Sequence, residues 1–255
     1  MRHAIVIPAY NEAATIRQVA QRALKQGECV IVVDDGSFDG TAAALAGLPI
    51  TLLRNELNSG KGPSLWRGIE QALRRGAQAV ITLDGDGQHR PEDIPRLIAA
   101  HAAHPHAIVI GSRLHQRERI PVARYRANRF ANFWISWAAG YAIADSQSGF
   151  RLYPAKLLRE IKLRPAAGFV FESEILIEAG RLGVESIAVP VPAIYSGHAR
   201  SSHFRPVADI ARISRMVAWK LLSRGLYLPG LIRSLGGEPQ VCREAGREQP
   251  GASAR

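Results

Sequence analysis

Residues 29–41 read CVIVVDDGSFDGT, and this segment is the clearest indication of the fold class. A short apolar run rich in β-branched residues is typical of a buried strand, and the glycine-rich segment after it is typical of a turn that leads into a helix. Similar apolar runs occur at residues 4–8, 50–53, 79–83 and 107–110. Helix-period segments lie between them at 13–25, 65–75 and 91–101. This alternation predicts an α/β fold with a mostly parallel sheet flanked by helices.

Acidic residues directly follow two of the predicted strands. Asp34 and Asp35 come after the run at 29–33, and Asp84 and Asp86 come after the run at 79–83. Sheets of this kind bind ligands at the carboxyl ends of their strands. The first pair suits hydrogen bonding to a base or a ribose, although helix caps and turns use the same residue types. The second pair offers two hard oxygen ligands on one tight turn, as Mg²⁺ or Mn²⁺ bridging a diphosphate requires.

Two other kinds of site are excluded by position. A calcium-binding EF-hand loop that began at Asp84 would need glycine where His89 stands and an acid where Pro95 stands. A P-loop at residues 55–62 would need an initial glycine and a final serine or threonine, and the chain has neither.

Five motifs, in this order along the chain, together resemble glycosyltransferase family 2, and within it the branch of dolichyl- or polyprenyl-phosphate sugar synthases. They are Pro8-Ala-Tyr10-Asn-Glu12, Val33-Asp34-Asp35-Gly-Ser37, Asn58-x-Gly60-Lys61-Gly62, Asp84-x-Asp86-x-Gln88-His89 and Asp145-x-x-Ser148-Gly149-Phe150-Arg151. The resemblance implies a Rossmann-like GT-A fold that binds a nucleotide-diphosphate sugar, with GDP and UDP both open, and transfers the sugar with inversion.

The resemblance also implies a donor side for the site. Residues carried over to the nucleotide-sugar are Pro8, Tyr10, Glu12, Asp34, Asp35, Lys61 and Asp84. The metal ion, Mg²⁺ or Mn²⁺, is expected among Asp84, Asp86 and Gln88. Asp86 is its surest ligand by resemblance and is therefore expected to be catalytic.

The acceptor side is expected to bind the phosphate of a polyprenyl lipid. The residues carried over to it are Arg113, Arg124, Asn128, Arg200 and Ser202, with Arg124 counted among the catalytic residues. Guanidinium groups bind phosphate oxygens in pairs. A phosphate acceptor is already anionic, so it needs no strong base. If the acceptor were instead a lipid hydroxyl or a glycan, a carboxylate on the predicted helix 169–182, either Glu172 or Glu174, would become the base, and Glu174 is counted among the catalytic residues. Two acids on a helix surface would account for the same pattern.

The charge of the chain is concentrated in two segments. Its 255 residues include 33 Lys and Arg against 22 Asp and Glu, which gives a net charge of +11. Residues 113–129 carry six arginines and one acid, and residues 200–233 carry seven basic residues and one acid, so the remainder is balanced. Solvated helix faces would account for such segments, but both adjoin apolar and aromatic residues. We therefore expect an anionic membrane surface as a partner.

Three regions are expected along the chain. Residues 1–204 form the glycosyltransferase domain, 205–235 form amphipathic helices at a membrane interface, and 236–255 are predicted to be disordered. No run is apolar enough for a spanning helix, so a peripheral position on the inner, cytoplasmic face of the cell membrane is expected. A basic nucleic-acid-binding module would explain the charge, but it would not explain acids at a strand end, and nucleic acid is not expected as a partner.

Overall fold

The structure is a computed structural model that describes residues 2–163, 170–192 and 206–242, with the backbone alone at residues 119, 123, 124 and 206–210. The strands are β1 (His3–Ala9), β2 (Val30–Asp34), β3 (Thr51–Arg54), β4 (Ala79–Thr82), β5 (Ile108–Ser112), β6 (Arg151–Pro154), β7 (Ser186–Pro190) and β8 (Gln240–Val241). The helices are α1 (Ile16–Leu24), α2 (Thr41–Ala44), α3 (Lys61–Arg74), α4 (Ile94–Ala103), α5 (Val122–Ala139), α6 (Ala155–Glu160), α7 (Val170–Arg181), α8 (Pro206–Leu222) and α9 (Leu228–Gly236).

All the described strands join one sheet in the order β3-β2-β1-β4-β6-β5-β7-β8. Every neighbouring pair is parallel except the two pairs that involve β6, which runs antiparallel to β4 and β5. The predicted α/β class with a mostly parallel sheet is confirmed. The strand β6 was not predicted, and its insertion separates β4 from β5.

Apolar side chains cover both faces of the sheet, because alternate residues of each buried strand point to opposite sides. On β1, Ala4 and Val6 pack in the cluster that includes α3, α5 and α7, whereas Ile5 and Ile7 pack in the cluster that includes α1 and α4. The result is a three-layer arrangement with helices on both faces. The carboxyl ends of β1, β2, β3 and β4 remain together at one edge.

The C-terminal part of the described chain differs from the sequence prediction. Disorder was expected from residue 236 onward, but Gln240–Val241 pairs in parallel with β7, and the Cys242 amide donates to the Ala188 carbonyl at 2.8 Å. The exposed backbone edge of β7 provides these hydrogen bonds, which no side-chain pattern reveals. Residues 243–255 lie outside the described residues.

Helices α5, α8 and α9 pack together beside the sheet. Within the described ranges, no helix is both long enough and apolar enough to cross a membrane.

Candidate active site

Three loops at the carboxyl edge of the sheet, those after β1, β2 and β4, are held together by polar side chains. After β1, the amide of Asn11 donates to the Ser37 hydroxyl at 2.9 Å, and the amide of Glu12 donates to Thr41 Oγ1 at 2.8 Å. The Thr15 hydroxyl donates to the carbonyl of Gly85 at 2.8 Å, which joins the loop after β1 to the loop after β4. These bonds fix the two acidic turns relative to each other.

The carboxylate of Asp35 organises the loop that precedes α3. It is buried, and it accepts hydrogen bonds from the side chain of Asn55 and from the amides of Ser59 and Gly60 at 2.7–2.9 Å. The loop approaches closely because Gly36 has a φ of +73° and a Cβ there would lie 2.8 Å from the Asn58 nitrogen. In the structure this carboxylate positions the start of α3, and the expected contact of Asp35 with a nucleoside stays a prediction.

The first residue of α3 reaches two carboxylates from other parts of the fold. Lys61 Nζ lies 2.6 Å from Asp84 Oδ1, after β4, and 2.9 Å from Glu172 Oε1, on α7. Burial opposes the charge on Lys61, but the two carboxylates outweigh it and raise the pKa of the ammonium. Burial likewise works to raise the pKa of Asp84, yet Lys61 lowers that pKa to about 2. Lys61 and Asp84 are therefore both charged at neutral pH.

Gly149 lies directly against this ion-pair cluster. A Cβ at this position would lie 2.9 Å from both Asp84 Oδ2 and Glu172 Oε1, and 3.0 Å from Lys61 Nζ. The three charged atoms thus converge on the backbone of one residue. This contact gives a physical reason for glycine in the Ser-Gly-Phe-Arg motif.

Asp86 lies beside Asp84 on the same turn and fits a divalent cation. Burial and the charge of Asp84 raise the pKa of Asp86, and Oδ1 of Asp86 accepts a hydrogen bond from the Gln88 amide at 2.9 Å. A cation between the two carboxylates would relieve their repulsion, and Mg²⁺ and Mn²⁺ prefer such oxygen ligands. No cluster of three His, Cys, Asp or Glu residues suited to a metal occurs within the described parts of the chain. The remaining ligands would therefore come from Gln88, a diphosphate or water.

A neutral histidine packs behind the acidic turn. Burial lowers the pKa of His89 to about 3, and its ring stacks on Phe150 at 5.5 Å between centroids. The amide of Asp84 points to His89 Nδ1 at 3.4 Å. His89 therefore supports the turn that carries Asp84 without adding a positive charge to the site.

Arg151 connects the loop at residues 145–150 to α7. Its guanidinium is fully buried and donates to the carbonyls of Ser146, Ser148 and Glu172 at 2.6–2.8 Å. One side chain thereby sets both the backbone that carries Gly149 and the first turn of the helix that carries Glu172.

The two glutamates of α7 have different surroundings. Glu172 shares a helix face with the buried Ile175 and Leu176 and points to Lys61, whereas Glu174 pairs with Lys220 of α8 at 3.0 Å. The two side chains lie on different sides of α7, because a two-residue step turns a helix by about 200°. The role of Glu174 as a base for a hydroxyl acceptor stays a prediction. An acid on the apolar face of a helix was the signal that pointed to Glu172.

The expected acceptor residues are only partly described. Arg113 Nη1 is buried without a hydrogen-bond partner among the described residues, and the charge of Arg113 lies close enough to act on Asp84, Asp86 and Asp145. Asn128 is half-buried on α5, and Arg124 is placed on α5 by its backbone alone. The remaining two acceptor candidates, Arg200 and Ser202, lie outside the described residues.

Comparison with known proteins identifies the family. The sequence profile of glycosyl transferase family 2 matches residues 4–162, which span β1 to α6 and include the acidic turns and the loop at 145–150. The chain belongs to glycosyl transferase family 2. The resemblance carried by the five motifs is thereby confirmed, and this glycosyltransferase is an enzyme.

Two relatives of this glycosyltransferase have informative names. The undecaprenyl-phosphate mannosyltransferase of Micrococcus luteus is 31% identical over 209 residues, which cover 75% of this chain and 83% of the relative. The UDP-N-acetylglucosamine–dolichyl-phosphate N-acetylglucosaminyltransferase of Methanococcus voltae is 29% identical over 215 residues, which cover 75% of this chain and 85% of the relative.

A solved structure supports the fold of this glycosyltransferase. Glucosyl-3-phosphoglycerate synthase from Mycobacterium tuberculosis, in complex with Mn²⁺, uridine diphosphate and phosphoglyceric acid, superimposes with a TM-score of 0.60. The match covers 88% of this chain and 78% of that protein at 24% identity, so it bears on the fold alone. The expected GT-A architecture is confirmed.

Proposed function

We propose that this enzyme transfers a sugar from a nucleotide-diphosphate sugar to a polyprenyl phosphate, with inversion and with a divalent metal ion, at the cytoplasmic face of the cell membrane. One observation carries the choice of acceptor. Glu172 and Glu174, the candidate bases, are both paired with lysines. A hydroxyl acceptor needs a base to take its proton, whereas a phosphate acceptor already carries a nucleophilic oxygen at neutral pH. The names of the relatives support the same choice.

The acidic and the basic residues of the site would have different roles in the reaction. Asp84 and Asp86, with Gln88 beside them, would hold the metal ion, and a bound metal neutralises charge on the leaving diphosphate. Lys61 and Arg113 add positive charge on the same side of the site. An oxygen of the acceptor phosphate would form a bond to the anomeric carbon while the bond from that carbon to the diphosphate breaks. Attack opposite the leaving group inverts the configuration.

The decisive experiment compares two acceptors that differ only in the phosphate. The protein is incubated with Mn²⁺ and radiolabelled UDP- or GDP-sugars, together with either polyprenyl phosphate or the matching polyprenol. We expect label in the lipid product with the phosphate and none with the alcohol. Transfer to polyprenol, or to neither lipid, would contradict the proposal, and the productive nucleotide would identify the base.

The surroundings of the two α7 glutamates give a prediction on activity. Glu174→Gln is expected to retain transfer within about threefold and to lower the free energy of unfolding by about 1 kcal/mol, because it weakens one ion pair with Lys220. Glu172→Gln is expected to lower kcat about a hundredfold, because the Lys61 ammonium loses a partner that positions it. Steady-state kinetics and thermal melts of the two matched variants test this. Near-total loss of transfer in Glu174→Gln would instead favour a hydroxyl acceptor.

The proposed membrane contact rests on an exposed apolar surface on α8, α9 and the turn between them. This C-terminal apolar surface consists of Trp219, Leu222, Leu226, Leu228, Ile232 and Leu235, which are 47–71% exposed. The exposed arginines Arg215 and Arg233 lie on the same two helices. Helix α5, which packs against both, also exposes Phe130 and Phe133. Apolar side chains flanked by basic residues suit the interface of an anionic bilayer.

We expect the protein to sediment with vesicles that contain phosphatidylglycerol at low salt, and the double variant Ile232→Ser/Leu235→Ser to bind them about tenfold more weakly. Both side chains are more than 60% exposed, so their loss removes insertion without disturbing the core. Leu182→Ser, at an exposed site beyond the end of α7, is the matched control and is expected to bind normally. Failure of the unmodified protein to bind at low salt would contradict the membrane contact.

A further inference from the structure

The ion-pair cluster of Lys61, Asp84 and Glu172 bears on how the donor site binds its divalent cation. We propose that Lys61 occupies the Asp84 carboxylate in the metal-free enzyme in place of the divalent cation, and that Glu172 retains the ammonium when the cation takes Asp84. Lys61 and Glu172 would then be positioning residues for metal loading. The inference rests on the proposed function, since that function calls for a metal at Asp84 and Asp86.

The geometry shows an ammonium shared between a metal-ligand candidate and a second acid. Lys61 Nζ contacts Asp84 at 2.6 Å and Glu172 at 2.9 Å, while these three side chains are 10–25% exposed. A buried carboxylate without a counter-ion is costly, so a site built to receive a cation needs another positive group when it is empty. Lys61 supplies that group.

Glu172 makes the exchange feasible. If Asp84 were the only partner of Lys61, an arriving cation would leave a buried ammonium without a counter-ion. Because Glu172 already contacts the same Nζ, the ammonium remains paired while Asp84 is released. A lysine suits this task since its ammonium is a point charge on a flexible chain that can exchange partners without a fixed planar geometry.

The charges around the cluster favour a cation that arrives with the donor. The carboxylates of Asp84, Asp86 and Glu172 face the ammonium of Lys61, and the charge of Arg113 acts on the two aspartates. A dication makes this site net positive, and a nucleotide diphosphate then restores its balance. We therefore expect weak metal binding without nucleotide and much tighter binding with it.

The test measures Mn²⁺ affinity of the full chain without nucleotide, from the electron paramagnetic resonance signal of the free ion. Lys61→Met is expected to bind Mn²⁺ about tenfold more tightly, as a site blocked for about nine-tenths of the time would when the block is removed. Glu172→Gln is expected to bind about threefold more weakly, because the ammonium then stays on Asp84. Unchanged affinity in Lys61→Met would overturn the inference.

A double-mutant cycle separates exchange of partners from a simple change of charge. If Glu172 acts through Lys61, Glu172→Gln has no further effect in the Lys61→Met background. Equal weakening in both backgrounds would show that only the local charge matters, and would overturn the inference. Arg113→Met is the charge-matched control, and it is expected to tighten Mn²⁺ binding much less than Lys61→Met. An equal gain in Arg113→Met would likewise contradict the exchange.

Two further measurements cover a variant that fails to fold and a protein that fails to transfer sugar. Should circular dichroism show that Lys61→Met is unfolded, Lys61→Arg replaces it; its guanidinium holds both carboxylates and is expected to weaken Mn²⁺ binding, so equal or tighter binding would overturn the inference. Sugar transfer by the unmodified protein is assayed in parallel. If the unmodified protein transfers sugar and Lys61→Met binds Mn²⁺ with unaltered affinity, the exchange alone is refuted. If the unmodified protein transfers no sugar, the proposed function is refuted.

Discussion

Asp86→Asn is expected to lower the rate of sugar transfer about a thousandfold while leaving the protein folded. Asparagine keeps the shape of the side chain and an oxygen that can accept the Gln88 amide, but it loses the negative charge that a divalent cation requires. Stabilisation of charge on a leaving group by a metal is worth several kcal/mol, and about 4 kcal/mol corresponds to about a thousandfold in rate. The measurement is kcat with saturating Mn²⁺ and donor.

The same variant has an expected effect on stability that separates a catalytic role from a structural one. Burial and the charge of Asp84 raise the pKa of Asp86, so removing the charge relieves repulsion in the metal-free protein. The melting temperature without metal should therefore stay the same or rise, and its increase on adding Mn²⁺ should be lost. Glu160→Gln, which removes a charge from an exposed position on α6, is the control. Full activity in Asp86→Asn would refute the metal assignment.

Much of the fold could be predicted because its strands are buried on both faces. The predicted runs at 4–8, 29–33, 50–53, 79–83 and 107–110 each match a strand within two residues at either end. The amphipathic helices expected within 205–235 likewise include α8, at Pro206–Leu222. Short apolar runs alternating with amphipathic segments have few alternatives to a parallel sheet with crossover helices.

Strand β6 and helix α5 were not predicted from the sequence, and each has a physical reason. Strand β6 has only four residues and begins with Arg151, a residue type that is rarely buried, so its pattern does not indicate an interior strand. Helix α5 mixes arginines with aromatic residues, because it packs against α7 and α9 and also exposes Phe130 and Phe133. Neither segment has the clean periodicity on which prediction depends.

The candidate site was likewise predicted only in part from the sequence. Motif positions brought Asp84, Asp86 and Lys61 to one site, and the structure places them together at the edge where β1 and β4 end. Their partners were less visible, since Glu172 lies more than 80 residues from Asp84 along the chain. Asp35 was assigned to the nucleoside by position, and that role stays a prediction; only the structure shows that its carboxylate accepts hydrogen bonds from backbone and side-chain donors of residues 55–60. The sequence identifies which residue types are at the site, whereas their contacts in the structure determine their roles.

Arg151→Met is expected to lower the free energy of unfolding by about 3–5 kcal/mol. The guanidinium is fully buried and donates to three carbonyls, those of Ser146, Ser148 and Glu172. Methionine fills similar space but donates nothing, so these buried carbonyls lose their partners. For a chain of this size the loss corresponds to about 10 °C in melting temperature. Arg159→Met, an exposed arginine on α6, is the control and should melt like the unmodified protein.

The same substitution is expected to reduce activity even where the variant remains folded. Arg151 holds the backbone on which Gly149 lies against Lys61, Asp84 and Glu172, and it also holds the first turn of α7. Greater mobility of the Gly149 backbone and of the first turn of α7 would make the positions of the ion-pair cluster less defined. We therefore expect kcat, measured well below the melting temperature, to fall, and the Arg159→Met control to keep its rate. A variant that melts within about 2 °C of the unmodified protein would show that the buried carbonyls find other donors. In that case the 145–150 loop would owe its position to Ser148 and Asn132, which donate to Gly111 and Ala144.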